Sequence, residues 1–323
     1  MVRRDRQTLD QTSPGHAVGV GARSLLFSHD SRTRRTIRSM IRRPGMHVLD
    51  PLSRLWWRAV GRPVDLSTPE FGFLAAPHNR RHEVGDAWLH AYEKQGAVHP
   101  SSPTAGLFDD MAVLDGPDFR ARDLHPLVRD FYEHTGAWRM DVWSQWNPLF
   151  APGGMAVTAL FGRRVEQLAL PTEPLSVSRG MSSEVRTVVD ESGRRQGAAW
   201  LRRLRLDNSA VYSGFYRSAV LPGAEQPHVA VAFPLELGHI HVFLTPRVEA
   251  DGALSLASRS RRFGADGAYI SVLFDDQWYS AQPPLRESFR VYVDDEGELR
   301  TDHELRVGPF RALRLHYRLS RHS

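Results

Sequence analysis

Two histidines alternate within a short apolar run, Gly238-His239-Ile240-His241-Val242. On a β-strand successive side chains point to opposite faces, so His239 and His241 share one face with Phe243. Such a pair can chelate a metal ion, but no carboxylate stands at a familiar offset to complete the ligand set. We therefore expect His239, His241 and Phe243 to line a ligand cavity, with His241 as a catalytic candidate because imidazole titrates near neutral pH. The alternative is a polar strand face that carries two imidazoles.

A second group of titratable side chains lies in Tyr132-Glu133-His134, followed by Arg139. A histidine beside aromatic rings can act as a general acid or base, which makes His134 and Glu133 catalytic candidates. Tyr132 and Arg139 are expected to bind the ligand. Because adjacent helical residues point about 100° apart, Glu133 and His134 do not automatically converge. A solvated polar face with local ion pairs is the alternative.

The region around this group is rich in tryptophan, with Trp138, Trp143 and Trp146 within nine residues. Apolar residues at intervals of three and four predict a helix over residues 123–150, with Asp123 as its N-cap. Three tryptophans are too many for one narrow helical stripe. We therefore expect these rings to reach a neighbouring sheet or a bound ligand.

The elements that position these residues change character near the middle of the chain. Helical spacing predominates over residues 46–175, including shorter helices over 50–61 and 86–95, whereas residues 176–323 alternate with period two. About ten short strands joined by turns rich in Asp and Gly predict an antiparallel sheet. We therefore predict an α+β fold in which N-terminal helices cover a C-terminal antiparallel β-barrel or strongly curved sheet of about ten strands. Residues 46–323 are expected to form one structural unit.

Positive charge is concentrated at the N-terminus. Residues 1–45 hold ten Arg and three Asp, a net charge of +7, while the rest of the chain holds 32 basic and 34 acidic side chains, a net charge of −2. We expect residues 1–45 to be a disordered basic tail, and Met40 and Met46 are alternative starts. An arm for RNA, DNA or anionic lipid is the alternative, but nucleic acid is not the partner we expect.

Composition excludes several classes of function. The chain has no Cys, which excludes disulfides, thiol nucleophiles and Cys-ligated metal sites. It has no apolar run of about 18 residues, so no membrane-spanning helix is expected, and the N-terminus lacks the apolar block of a signal peptide. No phosphate-binding glycine loop or nucleophile elbow occurs, and we expect no cofactor and no metal. Arginine outnumbers lysine 41 to one, as in GC-rich genomes, and we expect a cytoplasmic bacterial protein.

These observations lead to two hypotheses about function. The first is that the protein holds a largely apolar small molecule in a pocket between the aromatic helices and the sheet. In that case the protein either only binds the molecule or transforms it as a metal-free isomerase, cyclase or lyase. The second is a protein-interaction or structural module in which Trp56, Trp57 and Trp143 contact a partner or, in a homodimer, a second copy. The sequence leaves open whether the protein is an enzyme.

Overall fold

The computed structural model describes residues 49–83, 85–146, 181–204, 210–260 and 262–322. These residues are mostly β-strand, with few helices. The predicted basic tail and both alternative start methionines lie outside them. No helix within these ranges is long and apolar enough to cross a membrane.

The described residues include three α-helices: α1 (Leu49–Val60), α2 (Leu89–Lys94) and α3 (Pro126–Glu133). Short 3-10 helices occupy Gly72–Leu74, Met111–Leu114, Ala121–Asp123 and Thr135–Ala137. The helix predicted over residues 50–61 is therefore confirmed as α1. Helix α2 is shorter than the one predicted over residues 86–95.

The strands are short and numerous. In chain order they are β1 (Arg62–Val64), β2 (Trp138–Trp146), β3 (Met181–Val189), β4 (Arg195–Leu204), β5 (Ala210–Ala219), β6 (His228–Leu235), β7 (Gly238–Val248), β8 (Leu254–Ala257), β9 (Gly267–Phe274), β10 (Gln277–Ala281), β11 (Leu285–Val293), β12 (Leu299–Val307) and β13 (Phe310–Arg321).

Ten of these strands form a nearly closed antiparallel barrel in the order β2-β13-β12-β11-β8-β7-β6-β5-β4-β3. The end strands β2 and β3 approach each other, so the sheet curves through almost a full turn. Such curvature leaves little unpaired edge available to other chains. The prediction of an antiparallel barrel of about ten strands is confirmed.

The long strand β7 allows the sheet to branch. Its residues 238–243 pair with β9, whereas residues 245–248 pair with β8. Strand β9 in turn pairs with β10, and β10 pairs with β1. These three strands form a side sheet next to the barrel, and α1 packs against its strands β9 and β10.

Alternation along the strands gives the barrel an apolar inner face. Four residues of β13 are buried there, on the common face that the sequence predicts: Leu313, Leu315, Tyr317 and Leu319. Their neighbours Arg314 and Arg318 point outward and are exposed. The period of two therefore sets, directly from the sequence, which residues share the inner face.

Helix α3 packs its buried side against the apolar interior of the barrel. Its buried side chains Val128, Phe131 and Tyr132 belong to the same apolar cluster as the inner face of the strands. The centroid of the Phe131 ring lies 6.0 Å from that of Trp138 and 6.3 Å from that of Trp200, both in edge-to-face contact. These rings form an aromatic floor beneath the rest of the interior.

Within the predicted helix over residues 123–150, the described part, residues 123–146, does not form one long helix. Helix α3 ends at Glu133, and its N-cap is His125, whose Nδ1 accepts a hydrogen bond from the Leu127 amide at 3.2 Å. Beyond it, Trp138–Trp146 is strand β2, paired with β13. The apolar residues at the start of this segment also alternate with period two, and the exposed edge of β13 selects the extended form because pairing satisfies its backbone.

The predicted cover of N-terminal helices is not shown. Within the described part of the first half, short helices alternate with loops and with strands β1 and β2. The strand β10 is also absent from the sequence prediction. Asp275 and Asp276, with φ of 48° and 60°, form a tight turn that joins β9 to β10 without the usual glycine signal.

The aromatic floor yields a prediction for stability. Replacing Phe131, which is 4% exposed, with Ala should lower the free energy of unfolding by about 3 to 5 kcal/mol, because it leaves a cavity among packed rings. Urea denaturation followed by circular dichroism measures the change. Phe310→Ala is the matched control, since Phe310 is 58% exposed, and its effect should stay within about 0.5 kcal/mol. Equal losses in the two variants would contradict the floor.

Candidate functional site

The alternating histidines lie on the outer face of β7. His239, His241 and Phe243 share this face, as predicted, whereas Val242 and Leu244 belong to the barrel interior. Both histidines are fully buried. Phe243 packs with Phe73 and Tyr269 in a separate apolar cluster outside the barrel. The histidine pair therefore does not face the interior of the barrel.

The environment of the histidine pair favours neutral rings. Neither ring nitrogen of His239 or His241 has a hydrogen-bond partner. Burial lowers the pKa of His239 to about 3, and burial lowers the pKa of His241 well below its ordinary value. The positive charge of Arg217 lowers the pKa of both further. Both rings are therefore neutral at physiological pH, which makes proton transfer by His241 difficult.

The side chains around this pair are mostly aromatic. The ring centroid of Trp278 lies 5.4 Å from that of His239 and 5.1 Å from that of His78. Ser271 and Ser280 share a hydrogen bond of 3.1 Å on the neighbouring strands. In the described ranges no group of three or more His, Asp or Glu side chains is placed to hold a metal ion.

The second predicted group lies at the end of α3 and is held by local contacts. Glu133 accepts hydrogen bonds from the Met111 amide and from Arg129, each at 2.8 Å. His134 pairs with Asp130 at 3.1 Å and is about half exposed. No described contact joins either residue to His241. The three catalytic candidates are therefore not brought together, and their catalytic assignment stays a prediction.

The aromatic candidates divide between the interior and the surface. Tyr132 and Trp138 are buried in the aromatic floor, and the indole Nε1 of Trp138 donates to Asp130 at 2.9 Å. Trp143 is 55% exposed and packs loosely beside His316. Trp146 stands opposite Leu313 in the register of β2 and β13. Arg139 lies on β2, exposed, with its guanidinium 3.8 Å from the Asp141 carboxylate.

A different set of polar side chains lies inside the barrel. We call it the inner polar cluster, and it comprises Arg202, Tyr212, Tyr216, Glu287, His303 and Tyr317. Alternation explains its position, since each member shares the face of its strand with inward apolar residues. The registers support this, because Arg202 stands opposite Tyr212, and Phe289 stands opposite His303.

One side of the inner polar cluster is built on β4 and β5. The hydroxyls of Tyr212 and Tyr216 lie 2.5 Å apart, a short hydrogen bond. Both rings contact the indole of Trp200, with centroids 5.5 Å and 5.6 Å away. The Trp200 Nε1 donates to the Ser183 hydroxyl at 2.8 Å, so the indole is fixed in place. Arg202 is 7% exposed, with its Cζ 5.9 Å from the Trp200 ring.

The other side is built on β11 and β12. The imidazole of His303 stacks on the Phe289 ring, with centroids 3.8 Å apart and planes inclined by 16°. Its Nε2 lies 3.6 Å from the nearer Glu287 carboxylate oxygen, too far for a hydrogen bond. Both ring nitrogens of His303 are buried without a hydrogen-bond partner. A water or a ligand group beside the imidazole would supply the hydrogen-bond partner that the His303 nitrogens lack.

Electrostatics couples the two sides. Burial raises the pKa of Tyr317 to about 12 and raises the pKa of Tyr212 and Tyr216 still further. The negative charge of Glu287 raises all three, and the positive charge of Arg202 lowers those of Tyr212 and Tyr317. The tyrosines are therefore neutral donors, placed between a fixed cation and a carboxylate.

The sequence contains weak signals for this cluster. Arg202 and Arg203 are adjacent on β4, so one of the two has to point inward. Adjacent charged residues on a strand are usually both solvated, which favours the interpretation that neither arginine is buried. Here Arg203 pairs with Asp86 on the outside, whereas Arg202 is the inward residue. His303 and Glu287 give a weaker signal: the turn at residues 294–297 predicts that β11 and β12 pair, but nothing in the sequence shows that the face of Glu287 and His303 points inward.

Two depressions lie on the outer face of the barrel. The larger, of about 500 Å³, is lined by His228, Thr245, Arg247 and Asp266 among others. The smaller, of about 350 Å³, is lined by Arg290, Asp302 and Arg314 among others, and it also reaches Phe289 and His303. Arg247 and Arg290 already pair with carboxylates, so neither depression presents an evident recognition group of one sign.

Comparison of the chain with models of known protein families, with curated proteins and with solved structures finds no match.

The neutral histidine pair yields a prediction for pH dependence. Below about pH 6.5 the unfolded chain protonates these imidazoles while the folded chain does not. The free energy of unfolding should therefore fall with decreasing pH, by about 1.4 kcal/mol per pH unit for each of the two histidines, until the folded-state pKa is reached. Urea denaturation from about pH 7 to about pH 4.5 measures the slope.

The variant His239→Gln should reduce the slope of unfolding free energy against pH by the contribution of one histidine. His90→Gln is the control, because His90 is exposed on α2, and it should leave the slope unchanged. His241→Gln provides a second test at the neighbouring position. If both buried-histidine variants keep the full slope, other groups cause the acid sensitivity.

Proposed function

We propose that the chain binds a small molecule with an apolar body and a polar head group inside the barrel, against the inner polar cluster. A nearly closed antiparallel barrel with aromatic clusters is compatible with a ligand-binding domain. The proposal moves the site from the helix–sheet contact into the barrel, because Val128 and Phe131 fill that contact with buried side chains. Tyr132 and Trp138 then form part of the floor of the site.

The walls of the proposed site suit an apolar body. Trp200, Phe233 and Phe289 surround the inner polar cluster, and the Phe233 ring lies 5.5 Å from that of Tyr212. Several inward side chains on this side of the barrel are only partly buried, among them Ile240, Phe289 and Leu305. Contact with a ligand would remove this apolar surface from water.

The inner polar cluster suits a head group with both acceptors and a donor. Arg202 supplies a positive charge, and the tyrosine hydroxyls supply neutral donors. Glu287 accepts, and His303 offers ring nitrogens that have no other partner. Buried polar and charged side chains add little to the stability of a fold, because packed apolar residues in the same positions stabilise it equally well. The presence of the inner polar cluster therefore favours a role in binding a ligand.

The observation that carries the proposal is the His303 imidazole, whose two buried ring nitrogens have no hydrogen-bond partner beside the Glu287 carboxylate. Two titratable side chains face each other at 3.6 Å inside an aromatic enclosure without a direct hydrogen bond. A buried polar atom without a partner costs about 1 to 3 kcal/mol. A ligand group that hydrogen-bonds to a ring nitrogen of His303 recovers this cost.

A probe that is both apolar and anionic tests the proposal. Binding of 1-anilinonaphthalene-8-sulfonate, followed by its fluorescence, should weaken by about tenfold or more in Arg202→Met, because a charge-assisted hydrogen bond is lost. Arg203→Met is the matched control, since it removes the adjacent charge from the outer face of the same strand. Its affinity should equal that of the wild type.

The contrary results are distinct. Equal affinities in the wild type and both variants would place the probe outside the barrel. Loss of binding in Arg203→Met alone would place it on the outer face, near Asp86. Circular dichroism establishes that both variants are folded before the titrations are compared.

A second candidate function is acid–base catalysis on the bound molecule, of the isomerase, cyclase or lyase type. The observation that favours it is the same pair, since an imidazole and a carboxylate beside neutral tyrosine donors can move a proton. It shifts the catalytic assignment from His134, Glu133 and His241 to His303 and Glu287. Binding alone and binding followed by catalysis therefore make different predictions that an experiment can separate.

Deuterium exchange distinguishes the two functions. In deuterium oxide, the wild-type protein should introduce deuterium into a compound from an extract of small molecules, whereas His303→Gln should not. Mass spectrometry detects the mass gain, and His316→Gln, on the outer face of β13, serves as the control. If no compound gains deuterium with the wild type, binding alone remains.

A further inference from the structure

The larger depression on the outer face of the barrel has a defined place in the fold. His228, Thr245 and Ser255 line it from the neighbouring strands β6, β7 and β8. Leu244 and Leu254 beside them belong to the apolar interior, so alternation turns Thr245 and Ser255 outward. The depression has a volume of about 500 Å³, which is ordinary for a small-molecule site. The wall of the barrel separates it from the inner polar cluster.

The lining of this depression differs from that of the barrel interior. Its apolar residues are small, namely Pro117, Ala224 and Ala257, and its other residues are polar or charged. No Phe, Tyr or Trp ring occurs among the lining residues that the structure describes. The depression therefore suits a small polar ligand, in contrast to the apolar body that we propose for the interior.

Some charged groups of the lining already have partners. The Asp266 carboxylate accepts hydrogen bonds from the backbone amides of Arg259 and Ser260 at 2.7 Å and 3.1 Å, so it fixes the loop between β8 and β9. Arg247 and Asp118 form an ion pair at 3.4 Å. These contacts hold the rim of the depression in shape.

Three titratable side chains of the lining remain available to a ligand. The side chains of Arg259 and Glu225 are exposed, and no ion pair or hydrogen bond within the described ranges engages either of them. His228 is 6% exposed, and its buried Nδ1 has no hydrogen-bond partner. One cation, one carboxylate and one imidazole therefore line the same depression.

The imidazole of His228 is neutral at physiological pH. Burial lowers its pKa, and the negative charge of Asp266 and the backbone of Gln226 oppose this only in part. A neutral imidazole has one nitrogen that donates and one that accepts. A ligand group beside the ring would supply the partner that Nδ1 lacks.

We propose that this depression binds a free amino acid, with its carboxylate on Arg259 and its ammonium group on Glu225, beside His228. A guanidinium binds a carboxylate through two parallel hydrogen bonds, and an ammonium group donates three. A ligand of a single charge would leave either Arg259 or Glu225 partly desolvated without a partner, which is unfavourable. Charge complementarity therefore selects a zwitterion.

Saturation-transfer NMR with the full-length protein and an equimolar mixture of the standard amino acids tests the proposal. At least one amino acid should receive saturation from the wild type. Isothermal titration calorimetry then gives its affinity. The acid that lacks its amino group and the amine that lacks its carboxylate should each bind about tenfold or more weakly, because a charge-assisted hydrogen bond is lost.

Variants of the two charged side chains locate the bound amino acid. Arg259→Met and Glu225→Gln should each weaken binding by about tenfold or more, for the same reason. Arg262→Met is the matched control for the arginine, since Arg262 is exposed on the same loop outside the depression. Glu191→Gln is the control for the carboxylate, since Glu191 is exposed in the turn between β3 and β4. Both controls should bind like the wild type.

The proposal is overturned if no amino acid receives saturation from the wild type. It is also overturned if only one of Arg259→Met and Glu225→Gln weakens binding, or if neither does, because a zwitterion engages both side chains. Weakening in Arg202→Met with unchanged binding in Arg259→Met would place the amino acid inside the barrel instead. Circular dichroism establishes that every variant is folded.

Discussion

The structure depends on one geometric constraint, the alternation of side chains along strands of a nearly closed sheet. Once the ten strands curve round until β2 approaches β3, every second residue is committed to the inside. On β13 this places four apolar residues inward and the arginines outward. On β4 the same rule places Arg202 inside and its neighbour Arg203 outside. Core and candidate site are therefore two consequences of the same periodicity.

Along the barrel the interior changes from apolar to polar. Near α3 it is filled by aromatic rings, with Phe131 between Trp138 and Trp200. Around Trp200 the inward positions carry Arg202, Tyr212 and Tyr216. The inward positions of β11 and β12 carry Glu287 and His303. Burial keeps the tyrosines neutral by raising their pKa, so the charges in this layer belong to Arg202 and Glu287. The floor consists of packed, buried rings, and the polar layer holds the groups that we propose bind a ligand.

The sequence predicted the barrel more successfully than the candidate site. The strands of the second half were predictable because their alternation and Asp–Gly turns are local signals. The segment from Trp138 to Trp146 was not, since its aromatic spacing fits a helix as well as a strand, and only the edge of β13 decides between them. The face shared by His239, His241 and Phe243 was predicted correctly. That this face lies outside the barrel, under the chain around Phe73, depends on the branch of the sheet at β7.

The sequence by itself determined which residues share a strand face, the absence of thiol chemistry, and the concentration of positive charge before residue 46. These properties follow from the order of residue types along the chain and need no partner segment. The tertiary structure alone decided which face is inside and which distant residues meet. His303 and Glu287 are brought together by the pairing of β11 with β12. Arg202 and Glu287 act on the same tyrosines, Tyr212 and Tyr317, only because the sheet closes. Contacts of this kind are non-local, and a period of two carries no information about which strands become neighbours.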